Sequence, residues 1–188
     1  MVARHGESAA NAGQLMVGRI DPALTERGRR QARALAAVLP SGARLVTSPL
    51  RRARDTAAAL GEAVVDVRWA EVDYGELDGR PVADVWRPLW DRWRVDPEFA
   101  PPGGESLAAV GRRVRRACEE VAERAAEGDV VVFSHVSPIK AAVAWALGAG
   151  DETAWRMFVD LASVSRVAFR DHGPILHSFN EVHHLAGV

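Results

Sequence analysis

Residues 129–140, DVVVFSHVSPIK, are the stretch that decides the fold of this chain. Residues 130–133 form a continuous apolar run, which is typical of a strand buried on both faces in a parallel sheet. His135 follows this strand directly, and the sequence SPIKAAVAWALG, starting at residue 137, has the composition of a helix. A buried strand that passes through a polar residue into a helix predicts an α/β protein with a polar site at the end of the strand.

The remaining segments continue the alternation of strands and helices. The other predicted elements are a short strand ending at His5, a helix over 25–39, a strand ARLVTSP, a helix RRARDTAAALGEA, a strand VVDVRWAEV, a helix over 105–127, and a hairpin of SVSRVAFR and PILHSFNEV around DHGP. We therefore expect a mostly parallel sheet with helices on both faces and an antiparallel addition at the end. The predicted fold class is α/β, a single three-layer α/β/α domain over residues 1–188.

Segment 78–104 interrupts this alternation and is predicted to be a small helical lid insertion. It contains Trp86, Trp90 and Trp93, which recur at i, i+4 and i+7 and therefore mark one face of a helix. Two interpretations remain open. The tryptophans either pack onto the sheet, or one or two of them wall a pocket for an organic group.

The composition excludes several classes of function. Hydrophobic residues make up 48% of the chain and charged residues 26%, as in an ordinary globular protein. The formal net charge of −1 provides no basic field for nucleic acid or an anionic membrane. The single cysteine, Cys118, excludes an internal disulfide and a cysteine metal site, and its helical apolar pattern predicts a buried thiol. No signal peptide or membrane-spanning run is visible, so we expect a cytoplasmic protein.

Polar residues stand at the ends of three predicted strands. These ends are Arg4-His5-Gly6, Thr47-Ser48-Pro49 and Ser134-His135. Ligands of open α/β sheets bind beyond the carboxyl ends of the strands. The three ends are therefore candidates for one pocket.

Five segments of the chain resemble the histidine phosphatase superfamily, in the branch that contains the cofactor-dependent phosphoglycerate mutases and many small-molecule phosphatases. In chain order these are RHGESAAN, TSPLRRARDTA, AEVDYGELDG, PPGGES and FSHVSPIK, and the tail NEVHHL is similar to the family's last strand. The resemblance implies a phosphoglycerate mutase-like fold and a phosphohistidine intermediate. It also implies a small phosphomonoester substrate, inorganic phosphate as product, and neither a cofactor nor a metal. The resemblance leaves open whether the protein forms a homodimer.

The resemblance assigns a role to each matched residue. The nucleophile is His5, the phosphate-binding residues are Arg4, Arg52, Asn11 and His135, and the acid that then acts as base is Glu71. Arg52, and not its neighbour Arg51, matches the pattern Arg-Ala-x-x-Thr-Ala, while Asp73 and Glu76 compete with Glu71 for the acid role. The expected substrate-binding residues are Tyr74, Trp86 and Val136.

General chemistry supports these roles. A neutral imidazole, with an unperturbed pKa of about 6.5, is a competent nucleophile at neutral pH. The planar fork of arginine donates parallel hydrogen bonds to pairs of phosphoryl oxygens. The leaving alkoxide needs a proton, which a carboxylic acid supplies.

Hydrolysis is favoured over two alternatives. The mutases of the family carry an arginine directly after the catalytic glutamate, where this chain has Val72, and segment 78–104 has no lysine. A catalytically inactive phospho-ligand binder would be expected to lack a core residue, and all of them are present. The sequence thus predicts a histidine acid phosphatase-type hydrolase, with a phosphoglycerate mutase-type phosphotransferase and an inactive binder as alternatives.

Overall fold

The predicted buried strand lies inside a six-stranded sheet. The computed structural model describes residues 1–188. Its strands are β1 (Val2–Arg4), β2 (Arg44–Thr47), β3 (Val64–Val65), β4 (Val130–Ser134), β5 (Val164–Arg170) and β6 (Gly173–Glu181). Their order is β3-β2-β4-β1-β5-β6, and all five residues of β4 are buried.

Strand directions confirm the mostly parallel sheet. Strands β3, β2, β4 and β1 pair in parallel, and β4 is bonded on both sides. Strand β5 pairs antiparallel with β1 and with β6, so the terminal hairpin is the antiparallel addition expected from the sequence.

Six α-helices cover the sheet. They are α1 (Ala9–Ala12), α2 (Glu26–Ala36), α3 (Arg51–Ala57), α4 (Arg87–Val95), α5 (Leu107–Ala125) and α6 (Val136–Ala146). Thr25 caps α2, because its hydroxyl accepts the amide proton of Gly28. None of the helices has the length and apolar content needed to cross a membrane.

The side chains of β4 point alternately to the two faces of the sheet, and each face packs against its own hydrophobic core. Val130 and Val132 belong to one cluster, with residues of α5 and α6, whereas Val131 and Phe133 belong to another, with residues of α2 and α3. Successive side chains of a strand point to opposite faces of a sheet, so each pair contacts a different helical layer. The three-layer α/β/α architecture is therefore confirmed, and Cys118 is buried in the first core as predicted.

Two sequence predictions need correction. Only Val64–Val65 of the predicted strand VVDVRWAEV is a strand. The carboxylate of Asp66 accepts the amide proton of Arg68 and begins a 3-10 turn, after which the chain leaves the sheet. In segment 78–104, α4 begins at Arg87, so Trp86 precedes the helix instead of sharing a face with the other two tryptophans.

A glycine contact fixes how α2 approaches the end of β1. A Cβ added at Gly28 would collide with the backbone carbonyl of Glu7, two residues beyond His5. Only the absence of a side chain lets the helix approach this loop so closely.

We expect Gly28→Ala to destabilise the protein by roughly 1–3 kcal/mol, because the backbone must shift to relieve the overlap. Thermal unfolding should show a melting temperature lower by about 2–4 °C per kcal/mol. Gly13→Ala is the matched control, since a Cβ there meets only ordinary contacts at 3.5 Å or more. Equal melting temperatures for the two variants would show that the Gly28 contact is not tight.

Candidate active site

The polar ends of three parallel strands meet at one edge of the sheet. His5 follows β1, Ser48 follows β2 and His135 follows β4, and the amide groups of His5 and Ser48 donate to carbonyls of β4 at 3.0 Å. The ring centroids of His5 and His135 are 4.9 Å apart, and the two residues are 3% and 0% exposed. The structure thus brings together the three ends expected to share a pocket.

Hydrogen bonds fix the proton on the ring of His5. Its Nδ1 lies 2.7 Å from the carbonyl of Gly6, which can only accept, so Nδ1 carries the proton. Nε2 is left with its lone pair, toward which Nε of Arg52 donates at 3.3 Å. Burial, followed by the charges of Arg4 and Arg52, lowers the pKa of His5 well below 6.5. His5 is therefore a neutral imidazole at pH 7, with Nε2 unprotonated.

Arg52 is fully buried and is held by a loop that the sequence analysis did not single out. Its Nη1 and Nη2 groups donate to three carbonyls of loop 17–20 at 2.9–3.2 Å. Asp78 orders this loop, because its carboxylate accepts the amide protons of residues 18–20, each at 2.7 Å. Asp78 stands in the motif AEVDYGELDG, but nothing in its spacing showed that it acts on Arg52 through another segment.

Arg4 and Asn11 lie on one side of the histidines. Nη1 of Arg4 donates to the carbonyl of Val159 at 2.6 Å, while its Nε is buried without a partner. Burial lowers the pKa of Arg4 to about 10, which leaves it charged at neutral pH. The two residues line a common cleft of about 580 Å³. The side-chain oxygen of Asn11 accepts from Ser8 in the cap of α1, so Asn11 is a structural cap as well as a wall of this cleft.

His135 is held by Ser48, a contact that sequence reasoning missed. Its Nε2 lies 2.7 Å from Oγ of Ser48, whereas Nδ1 is buried without a partner. Burial, followed by the charges of Arg52, His5 and Arg4, lowers the pKa of His135 well below 6.5. The second histidine is thus also neutral, and one of its ring nitrogens has no partner within the protein.

Glu71 is the buried carboxylate of the site. Oε1 accepts the amide protons of Val72 and Ser137 at 2.8 and 3.0 Å, and Oε2 accepts that of Val136 at 3.0 Å. It therefore faces the N-terminus of α6, whose exposed amides and dipole favour a negative group. Its side chain is only 4% exposed, whereas the competing Glu76 is exposed.

Arg113 of α5 holds the segment around Glu71. Its Nη1 and Nη2 donate to the carbonyls of Arg68 and Glu71 at 2.6 and 3.2 Å, and it forms an ion pair with Glu105 at 2.8 Å. The helical pattern of α5 gave no signal that this arginine, one of several on the helix, reaches the site.

A cavity of about 190 Å³ is lined in part by the three residues whose backbone amides hold the Glu71 carboxylate. Its walls are formed by Val72, Tyr74, Trp90, Trp93, Leu107, Val136, Ser137, Lys140, Ala154 and Trp155. Tyr74 and Val136, both predicted to bind substrate, are among them. Trp86 is not, because it precedes α4 and its side chain is 72% exposed to solvent.

Fold and site together define the class of protein. It has a phosphoglycerate mutase-like α/β fold, with two buried histidines and two arginines beyond the carboxyl ends of its parallel strands. The chain belongs to the histidine phosphatase superfamily, branch 1, whose family model matches residues 1–182.

Named relatives share this architecture. The chain is 38% identical over 184 residues to a bifunctional protein of Mycobacterium tuberculosis, covering 92% of this chain but only 50% of that protein, so it spans about half the length of that relative. It is 34% identical to phosphoserine phosphatase 1 of Hydrogenobacter thermophilus, covering 98% of this chain and 93% of the relative. A mycobacterial glucosyl-3-phosphoglycerate phosphatase, solved with VO3, matches with a TM-score of 0.87 and 31% identity over 96% of this chain and 98% of that one.

The buried neutral histidines predict a stability that depends on pH. Because both pKa values are lowered, the unfolded chain binds protons below about pH 6.5 that the folded chain does not, so stability falls as the pH drops through that value. Each histidine contributes a slope of up to about 1.4 kcal/mol per pH unit. Denaturant unfolding between about pH 7 and pH 5 measures how the free energy of unfolding changes with pH. His5→Asn should reduce this slope by the contribution of one histidine. An undiminished slope would contradict a neutral buried His5.

Proposed function

We propose that the protein is a metal-independent phosphomonoesterase that acts on a small phosphorylated metabolite through a phosphohistidine at His5. The observation that carries the proposal is the unprotonated Nε2 of His5, buried beside the guanidinium of Arg52. The lone pair on Nε2 can attack a phosphoryl group once Arg52 donates to the phosphoryl oxygens in place of the histidine, because the same cation neutralises their charge. The superfamily and the phosphatase names of its relatives support the same reaction.

In the first step, Nε2 of His5 attacks phosphorus and the ester P–O bond breaks. Arg4 and Arg52 bind the phosphoryl oxygens, and the unpartnered Nδ1 of His135 is available to one of them. In the second step, water attacks the phosphohistidine, the P–N bond breaks, and inorganic phosphate leaves. The arginines take the part that a metal ion plays in many phosphoryl transfers.

Glu71 moves the protons of both steps. A phosphoryl dianion bound beside the carboxylate favours its protonated form, which can then donate to the leaving alkoxide. The carboxylate left behind accepts a proton from the attacking water. Three backbone amides hold the two oxygens in place, so Glu71 needs no large movement between its roles.

Hydrolysis is favoured over a phosphoglycerate mutase reaction by the residue beside Glu71. Val72 is fully buried in an apolar cluster, at the position where the mutases would place an arginine. The mutases would use that arginine to hold a second anionic group of the substrate, and the apolar side chain of Val72 cannot replace it at this position.

His5→Ala should abolish release of phosphate from p-nitrophenyl phosphate, because no other group can form the intermediate. The activity of the wild-type protein is measured without added metal and again with a chelator, and the two rates should be equal. His172→Ala, a change at an exposed histidine of the hairpin, is the matched control and should retain full activity. Activity that survives His5→Ala, or that disappears with the chelator, would overturn the mechanism.

Glu71→Gln should slow hydrolysis of alkyl phosphates by about 10²-fold or more, the usual contribution of a general acid. It should slow the first step much less for p-nitrophenyl phosphate, whose leaving group needs no proton. Phosphohistidine should then accumulate, which phosphorus NMR or intact mass detects. The matched control is Glu76→Gln, at an exposed carboxylate five residues away. Equal losses in the rate of the first step for the two classes of ester would show that Glu71 is not the acid.

A further inference from the structure

The chain's only lysine lies half-buried in the cavity beside Glu71 and has no partner. Lys140 lines this cavity, and its ammonium group makes no hydrogen bond and no ion pair with the protein. Burial lowers its pKa, with Glu71 acting in the opposite direction. The Glu71 carboxylate acts on Lys140 only from beyond ion-pair distance, so an anionic group of a ligand can pair with the ammonium directly.

Aromatic rings form the opposite walls of the cavity. Trp90 and Trp93 are stacked, with ring centroids 5.7 Å apart and an interplanar angle of 19°. Trp155 meets both edge-on at 6.0 Å, and its indole donates to the carbonyl of Trp93. The indole N–H of Trp93 is buried without an acceptor. The tryptophans thus hold one another rigidly and present flat apolar surfaces beside an unsatisfied donor.

The cavity adjoins the point where the leaving group would separate from phosphorus. Val72, Val136 and Ser137 line it, and these are the residues whose amides hold the Glu71 carboxylate. Lys140 is four residues beyond Val136 on α6, about one helical turn or 6 Å further along. A ligand that reaches from Glu71 to Lys140 therefore has roughly the length of one ring.

We propose that this cavity binds the alcohol part of the substrate, and that this part is a flat ring carrying a carboxylate, with the ring against the tryptophans and the carboxylate on Lys140. The inference rests on the proposed phosphomonoesterase function and names its substrate class. An apolar cavity of roughly 150 Å³ accommodates one benzene ring, so about 190 Å³ accommodates a ring with one small substituent.

A polyhydroxylated sugar fits these walls poorly. Each hydroxyl taken out of water needs a hydrogen-bond partner, and eight of the ten lining residues are hydrophobic. The carboxylate requirement is compatible with an acidic substrate, such as the phosphoserine named for one relative, whereas the aromatic walls favour an unsaturated ring over an aliphatic chain or the glucosyl group named for another relative.

The test compares para-carboxyphenyl phosphate, phenyl phosphate and O-phosphoserine in the wild type and in variants. We expect the wild type to prefer the carboxylated ring over phenyl phosphate by at least about tenfold in kcat/KM. Lys140→Gln should bring that ratio to about one, and Lys140→Arg should retain most of it. Trp90→Leu should lower kcat/KM for both ring esters by about tenfold and leave O-phosphoserine nearly unchanged.

Trp86→Leu is the matched control, because this tryptophan flanks the same helix but is exposed and outside the cavity. Trp86→Leu should leave the ratios of kcat/KM among the three esters as in the wild type. A carboxylate preference that survives Lys140→Gln, or a ring preference lost in Trp86→Leu but kept in Trp90→Leu, would overturn the inference.

Direct binding separates failure of this inference from failure of the proposed function. Calorimetry with para-hydroxybenzoate, phenol and inorganic phosphate needs no turnover. The cavity assignment predicts that para-hydroxybenzoate binds more strongly than phenol and that Lys140→Gln removes this difference. That result would support the cavity assignment even if the protein hydrolysed no ester. Full esterase activity together with equal, weak binding of both phenols would leave the hydrolase intact and reject the cavity assignment.

Discussion

Parallel pairing of β1 and β4 is the constraint on which the site depends. The amide of His5 donates to the carbonyl of Ser134, which places the residue after β1 directly beside the residue after β4. On its other side, the carbonyl of His5 accepts from Ala162, so its backbone is bonded in both directions. A shift in register would turn side chains to the opposite face, and the two imidazoles would no longer share one pocket.

Burial of charge is the second condition of this arrangement. Two arginines are removed from water here, and such ions are costly unless they are hydrogen-bonded. Carbonyls of loop 17–20 satisfy Arg52, and the carbonyl of Val159 partly satisfies Arg4. Burial, followed by the charge of the same cations, lowers the pKa of the neighbouring histidines, so the arginines favour an unprotonated His5 and provide positive charge beside it.

Much of this could be predicted from the sequence, because the signals are local. The apolar run of β4 predicted a strand buried on both faces, and polar residues after three strands marked the edge where His5, Ser48 and His135 meet. The positioning residues had no local signal. Asp78 acts on Arg52 through the amides of a loop about sixty residues away in sequence, and Arg113 reaches the Glu71 segment from another helix. Such contacts follow from tertiary packing, which neither periodicity nor spacing describes.

Trp86 shows how helical periodicity can mislead at the end of an element. The i, i+4, i+7 spacing assumes a helix that includes all three tryptophans, but α4 starts at Arg87 with a proline next to it. Proline is tolerated in the first turn and not in the interior, so Pro88 favours a helix beginning at this point. Trp86 is consequently turned outward, and Trp155, from a segment without helical periodicity, completes the aromatic wall instead.

The proposed chemistry and the proposed substrate specificity therefore depend on different parts of the fold. His5 and His135 stand directly beyond strand ends that are fixed by backbone pairing, and Arg52 lies in the first turn of the helix that follows β2. The walls of the cavity come from α4, from the 3-10 segment Asp151–Arg156, from the first turns of α5 and α6, and from Val72 and Tyr74. Trp90, Lys140 and Trp155 are only partly buried and can change with less effect on the sheet than the wall residues of the core cluster. A change at a strand end alters the protonation and placement of His5. Glu71 links the two parts, because the amides that orient its carboxylate belong to residues that line the cavity.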